Sequence, residues 1–244
     1  MNTQHTVDQL QELKLHGMAR AYEAITSQPV HLHPEAHEMV AMLTEAELQS
    51  KLHYRTQLFL RLARLRYAVL PEQIQCSVGR NLTRGTVAAA LRRCFYPQWR
   101  NGPDYAAPPA PAKSYLACAL GRQACILGYK TLYYSMSRFL ETLATSRVEG
   151  SYVKLLNLLA RMPVLIFDDF GLQELDHPAK LALLQILEDR YSKGATIITS
   201  QLPIKKWYDY LNDATLADAI MDRLSAGVHK IDLKGESLRK DKTN

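Results

Sequence analysis

Nothing in this 244-residue chain approaches the ~20 consecutive apolar residues of a membrane-spanning helix, and its first residues lack the apolar core of a secretory signal. A soluble cytoplasmic protein with no membrane partner is therefore expected. Cysteine is scarce: Cys76, Cys94, Cys118 and Cys125 show no metal-ligand spacing and no small-secreted-domain pattern, so reduced thiols are expected. Charge of one sign is also limited. The net charge of +6 and pI near 9.1 suit an anionic partner without requiring one. No internal repeat is visible. What the chain has is 47% hydrophobic residues, enough for one full core and a smaller domain.

Residues 1 to about 70 read as helical. Val7, Leu10, Leu13, Leu15 and Met18 lie near one face, continued by Tyr22 and Ile25, with Gly17 a mild interruption. Pro29 and Pro34 bracket a loop. A second helix is predicted from Pro34 to Leu70, stopped by Pro71. Its far half interleaves Lys51, Arg55, Arg61, Arg64 and Arg66 with leucines and Phe59. Such a stripe suits a DNA phosphate backbone, and equally the solvated face of an amphipathic helix.

From Lys113 onward, helices and short apolar strands alternate. Strands are predicted at 131–134, 164–167 and 195–199. Helices are predicted at 114–127, 137–145, 152–160, 179–192 and 211–226. Alternation with β-branched strands argues a parallel sheet covered on both faces. Three regions follow: a helical N-terminal domain (1–70) for DNA or partner binding, a connector (71–112), and an α/β domain (113–244).

The apolar run Val164–Phe167 closes in Asp168-Asp169. A buried strand ending in adjacent carboxylates can hold Mg²⁺ beside a triphosphate, one carboxylate orienting the metal's water and the other polarising the attacking water. The plainer alternative is a core strand ending in a solvated acidic turn. A phosphate loop, G-x-x-x-x-G-K-[ST], should precede such a site, because its glycines let backbone N–H groups approach the phosphates. Lys113-Ser114 and a following helix are present, but the glycines are missing. Ala107, Pro108, Pro109, Ala110, Pro111 and Ala112 stand in their place. Five prolines in 97–112 forbid a helix or central strand and make an extended linker the literal reading.

The chain resembles the IstB/DnaC-like AAA+ ATPases, and within them the IstB transposition helpers of insertion sequences. The resemblance rests on Lys113-Ser114-Tyr115-Leu116-Ala117-Cys118-Ala119-Leu120-Gly121 and on Val164 through Gly171. Further matches are Leu187-Glu188-Asp189-Arg190-Tyr191, Thr199-Ser200-Gln201-Leu202-Pro203, Leu216 through Leu224, Leu233-Lys234-Gly235-Glu236-Ser237, and the opening Leu10-x-x-Leu13-x-Leu15-x-Gly17-Met18. It implies a parallel-sheet P-loop AAA+ domain preceded by a small all-α domain, with ATP and Mg²⁺ as cofactors. It also implies a homo-oligomer on double-stranded DNA and a cognate transposase as partner. Residue by residue, Lys113 would neutralise the β- and γ-phosphates, Ser114 would ligate Mg²⁺, and Asp168 would hold the metal through water. Asp169 would orient the hydrolytic water, Ser200 (beside Thr199 and Gln201) would sense the γ-phosphate, and Arg223 would act as an arginine finger on a neighbour's nucleotide.

The departure is 92–112, where the family shows a Val-Leu-Ile-Thr-like strand and a glycine-rich loop. Codons for Gly102 to Tyr105, read one base later, can spell Val-Leu-Ile-Thr. Those for Ala107 to Ala112, read one base earlier, can spell Gly-Pro-Thr-Gly-Thr-Gly. Compensating insertions and deletions, in the gene or its sequencing, would account for both. Two other readings stay open: a DnaC-like helicase loader, and a nucleotide-blind DNA-binding or decayed subunit in which the loop is real. Glu188, Asp189 and Arg190 read as a helix-surface charge cluster, and His177 and His229 as ordinary.

Overall fold

The structure, a computed structural model, describes residues 3–74, 76, 83–85, 89, 105–107, 113–225 and 231, giving the backbone alone for 105–107. Two compact units divide between Leu58 and Phe59. The boundary drawn from the sequence at residue 70 lies farther along the chain.

The first unit is helical. α1 (Thr3–Glu12) and α2 (His16–Thr26) replace the single run expected through Ile25. Lys14 adopts a left-handed conformation (φ 59), and Leu15 N–H donates to the Leu10 carbonyl while Lys14 N–H donates to that of Gln11. This is the paired-bond ending that satisfies a helix's last carbonyls, here without glycine. Gly17 then matters for space: a Cβ there would lie 2.4 Å from the Ala46 carbonyl of α3 (Ala36–Ala63). The close approach lets the buried Glu47 carboxylate accept from the N–H groups of Gly17 (2.7 Å) and Met18 (3.2 Å). α2 has no side-chain cap of its own, so a carboxylate from another helix caps its positive end. Burial raises the Glu47 pKa, but the Met18 and Gly17 amides and Lys51 outweigh it and hold the carboxyl below its usual range.

α3 ends at Ala63, short of the Leu70 predicted, because Arg64 is left-handed (φ 53) and turns the chain out of the helix. The stripe read onto one long helix is therefore corrected. Lys51, Arg55 and Arg61 lie on α3, whereas Arg64 and Arg66 lie beyond it.

The second unit holds a parallel sheet of order β1-β4-β3-β2, made of β1 (Tyr105–Ala107), β2 (Thr131–Ser135), β3 (Val164–Phe170) and β4 (Ala195–Ser200). β1 corrects the linker reading. Three residues free of proline, between Pro103 and Pro108, pair along the edge of β4. The connecting helices are α4 (Lys113–Ile126), α5 (Met136–Val148), α6 (Tyr152–Arg161), α7 (His177–Arg190), α8 (Trp207–Leu211) and α9 (Ala214–Ser225).

β3 explains why its sequence is apolar without alternation. Val164 and Ile166 pack with α4 residues, while Leu165, Phe167 and Phe170 pack with those of α5 through α9. A strand covered on both faces buries every side chain, each large one worth roughly 1.5–3 kcal/mol. α4 sits close on the sheet through small residues: a Cβ at Gly121 would meet Ile166 Cδ1 at 2.7 Å.

Arg190 overturns the surface-cluster reading. It is 1% exposed, and its guanidinium donates to Thr196 Oγ1 (2.9 Å) and to the carbonyls of Leu159 (2.8 Å), Met162 (2.6 Å) and Ala195 (2.5 Å). It donates to carbonyls at the end of α6, one of which also accepts the Met162 N–H, and ties them to the start of β4.

Two outcomes follow for denaturant unfolding. Arg190→Met strands several buried carbonyls and lowers the unfolding free energy by roughly 3 kcal/mol or more. Glu47→Ala removes the α2 cap and costs about 1–2 kcal/mol near neutral pH. Because the folded carboxyl pKa is lowered, that difference is fully present above the ordinary carboxylate range and closes as the pH falls through the lowered value.

Candidate functional site

Ser135 pairs with Asp168 and Ala107 with Thr199, so the carboxyl ends of all four strands lie side by side. In open parallel sheets this edge is where ligands bind.

Asp168 and Asp169 lie within β3, which runs on to Phe170, and not in the solvated acidic turn that was the plainer alternative. The pairing register with β4 slips between Phe167 and Phe170, and Asp169 has φ 63. Neighbouring strand residues ordinarily point to opposite faces. The bulge re-aims Asp169, so that both carboxylates reach one guanidinium: Arg66 Nη1 is 3.1 Å from Asp169 Oδ2 and 3.8 Å from Asp168 Oδ2.

Asp168 is fully buried, a costly place for a charge unless it is paired and hydrogen-bonded. Ser114 Oγ donates to Oδ1 at 2.9 Å, Thr199 Oγ1 makes a short bond to the same oxygen, and the Tyr133 hydroxyl donates to Oδ2. Burial raises the Tyr133 pKa, and the hydrogen bond to Asp168 and its charge raise it further, so the phenol keeps its proton. Thr199 Oγ1 also accepts from Asp169 N–H at 3.2 Å, bracing the bulge. Burial pushes the nearby Cys118 thiol to about 11, which leaves it protonated and inert.

Lys113 opens α4, is 4% exposed, and donates from Nζ to the Ser200 carbonyl in a short bond. Lys113, Ser114 and Asp168, far apart in sequence, are thus gathered at one point. Ser200 joins them through its carbonyl, not its hydroxyl. Its Oγ donates to the Phe170 carbonyl (2.6 Å) and accepts from Leu202 N–H (3.0 Å). The hydroxyl that reaches the acidic pair is that of Thr199. Strand parity carried the signal, since Thr199 shares a face with Ile197, which packs with α4 residues, whereas Ser200 shares one with Ile198. Tyr133 was missed because a mid-strand tyrosine reads as core.

Arg66, placed by the sequence in a DNA-binding stripe, faces the acidic pair instead. Its guanidinium lies 5.5 Å from the Tyr67 ring, and Tyr67 lies 4.7 Å from the ring of Tyr115, which follows Ser114. Arg55, Arg61 and Arg64 are exposed, while Lys51 pairs with Glu47 at 3.4 Å. Arg223, on α9, is half-exposed, 3.5 Å from Glu188 and 6.0 Å from the Tyr191 ring, and is not part of the Asp168 cluster. Ala107 ends β1. Pro108, Pro109, Ala110, Pro111 and Ala112 lie outside the described residues, as do 92–104, His229 and the 233–237 motif.

Mg²⁺ prefers oxygen ligands and is held by one or two carboxylates together with substrate phosphates, not by an all-protein cage. Ser114 Oγ beside Asp168 Oδ1 is such a donor set. Among the described residues no cluster of three or more His, Cys, Asp or Glu offers a cage. The residues fit the ion.

A parallel sheet in this order, with a Lys-Ser helix facing the acidic end of β3, has the architecture of the AAA+ P-loop fold. Solved structures agree on the fold. That of DnaI has a TM-score of 0.59 at 19% identity, covering 73% of this chain and 94% of that one. That of the DnaC helicase loader has 0.55 at 17%, covering 70% and 100%, and AMPPCP-bound DnaA from Aquifex aeolicus has 0.55 at 17%, covering 70% and 51%. A family model described as IstB-like ATP binding protein matches residues 8–244. The insertion-sequence ATP-binding protein y4pL of Sinorhizobium fredii is 38% identical, covering 97% of this chain and 96% of that protein. The IS1162 ATP-binding protein of Pseudomonas fluorescens is 37% identical, covering 83% and 88%. The chain belongs to the IstB-like ATP-binding protein family.

Urea melts test the Asp168 network. Tyr133→Phe removes one of its donors and costs about 1–2 kcal/mol. Asp168→Ala strands three hydroxyls and faces Arg66 with one carboxylate fewer, costing about 3 kcal/mol or more.

Proposed function

We propose that this chain is the ATP-dependent helper of an insertion sequence. In this reading it assembles in the cytoplasm as a homo-oligomer on double-stranded DNA and stimulates a cognate transposase. The observation that carries it is the hydrogen bond from Ser114 to Asp168, which joins the start of the phosphate-loop helix to the acidic end of β3. The names of the full-length relatives, insertion-sequence ATP-binding proteins, support the same reading.

In this reading Lys113 offsets the charge of the β- and γ-phosphates, and Ser114 with Asp168 holds Mg²⁺. The ion supplies charge neutralisation to the transferring phosphoryl group. Asp169 orients the water that attacks, Thr199 braces that carboxylate's backbone, and Ser200 contributes its carbonyl to Lys113. Arg223, half-exposed on α9, acts on the nucleotide of a neighbouring subunit. Positioning and preorganised charge do the catalytic work. Lys51, Arg55, Arg61 and Arg64 remain the candidates for the DNA backbone. A helicase-loader role has less support, since the likeness to DnaC speaks for the fold alone.

A second reading has its own observation. Ala107 to Ala112 carries no glycine, and Pro109 and Pro111 have no N–H to give a phosphate. With hydrogen bonds to a charged acceptor worth ~1.5–3 kcal/mol each, the unaltered chain binds ATP roughly a hundredfold or more weakly than a repaired one. The repair is Ala107→Gly, Pro109→Thr, Ala110→Gly, Pro111→Thr and Ala112→Gly, with Val-Leu-Ile-Thr at 102–105. Calorimetric titration with ATP and Mg²⁺ measures both proteins. Tight binding by the unaltered chain would overturn this account of the loop, and no binding by the repaired chain would overturn the ATPase reading. The gene's codons across 90–115 decide separately whether shifted frames scrambled the window.

A further inference from the structure

The acidic pair has a cationic partner that the proposed reaction does not use. Both oxygens of the buried Asp168 carboxylate are engaged: Oδ1 by Ser114 and Thr199, Oδ2 by Tyr133. Arg66 closes the remaining side. Its Nη1 donates to Asp169 Oδ2 at 3.1 Å and lies 3.8 Å from Asp168 Oδ2. The ion pairs described at the acidic pair are those of the Arg66 guanidinium.

Three features suit Arg66 to a reversible hold. Its side chain is 42% exposed, so the guanidinium can leave for solvent without opening the core. It rises from a short strap that follows left-handed Arg64, outside any helix. The strap is fastened independently, through Tyr67 against Tyr115 and through Val69, which is 3% exposed. Releasing the guanidinium therefore does not release the backbone. A half-exposed ion pair is also weak enough to exchange.

We propose that Arg66 is a built-in counter-ion of Asp168 and Asp169 that competes with a divalent cation for them, and so sets the threshold for metal binding. A guanidinium and a hydrated dication cannot share the outer side of these carboxylates without mutual repulsion. By linkage, each lowers the affinity of the site for the other. The inference rests on the acidic pair facing the metal. Its test uses metal alone, so its failure is separable from any failure of ATP binding.

Mn²⁺ is the probe, titrated without nucleotide into the full chain and into Arg66→Gln and Arg66→Lys, followed by electron paramagnetic resonance of free Mn²⁺. Melting is read in parallel, in EDTA and in Mn²⁺. Arg66→Gln should bind Mn²⁺ on the order of tenfold more tightly than the unaltered chain, the scale of removing a unit charge ~5 Å from a dication in a water-like dielectric. Arg66→Lys, which keeps the charge, should stay near the unaltered chain. Adding Asp169→Asn to Arg66→Gln should abolish the gain. Arg66→Gln should also melt lower in EDTA and recover in Mn²⁺. Equal, weaker or undetectable Mn²⁺ binding by Arg66→Gln overturns the proposal. If that variant folds only with Mn²⁺ the proposal is supported, and if it folds in neither condition the proposal fails.

Discussion

One fully buried carboxylate organises the α/β domain. Removing an ion such as Asp168 from water costs several kcal/mol even after relaxation, so it persists only where donors converge on it. Here they come from four separate stretches of chain: Arg66 after α3, Ser114 on α4, Tyr133 on β2 and Thr199 on β4. The Tyr133 and Thr199 hydroxyls are buried with the carboxylate and that of Ser114 partly so, whereas Arg66 meets it from the solvent side. The parallel sheet brings two of them, Tyr133 and Thr199, because strands in register end together, and the segment after α3 brings Arg66. α4 brings the fourth, because its small residues let it lie close on β3.

Much of this was legible from residue patterns. The alternation of helices with β-branched strands gave the sheet, and Lys113-Ser114 with Asp168-Asp169 gave the two halves of the site. What escaped was set by contacts between distant residues or by backbone shapes with no residue signature. Lys14 and Arg64 end helices in a left-handed conformation without the glycine or asparagine that would announce it. Asp169 does the same inside β3, turning what reads as an acidic turn into a bulge that keeps both carboxylates on one side. Arg190 reads as a surface charge until the end of α6 is seen to need its donors. Strand parity turns the Thr199 hydroxyl, and not that of Ser200, toward the acidic pair.

The aberrant window and the ordered site are less contradictory than they first look. The contacts that join α4 to β3 and β4 come from a helix and two strands, and none of them requires the loop that precedes Lys113. The constellation of Lys113, Ser114 and Asp168 can therefore stand in a chain whose 107–112 stretch carries no glycine. The family relation runs through the same elements and extends over residues 8–244.

Arg190 gives the sheet a mechanical polarity. Its bonds gather the amino-terminal ends of β3 and β4 and the last turn of α6 around one immobile group. At the opposite margin, contacts run through long side chains such as Lys113 and Arg66 that can exchange partners. The two margins of the sheet are thus held differently, one by a guanidinium sealed in the core and the other in part by the Arg66 side chain, which reaches solvent.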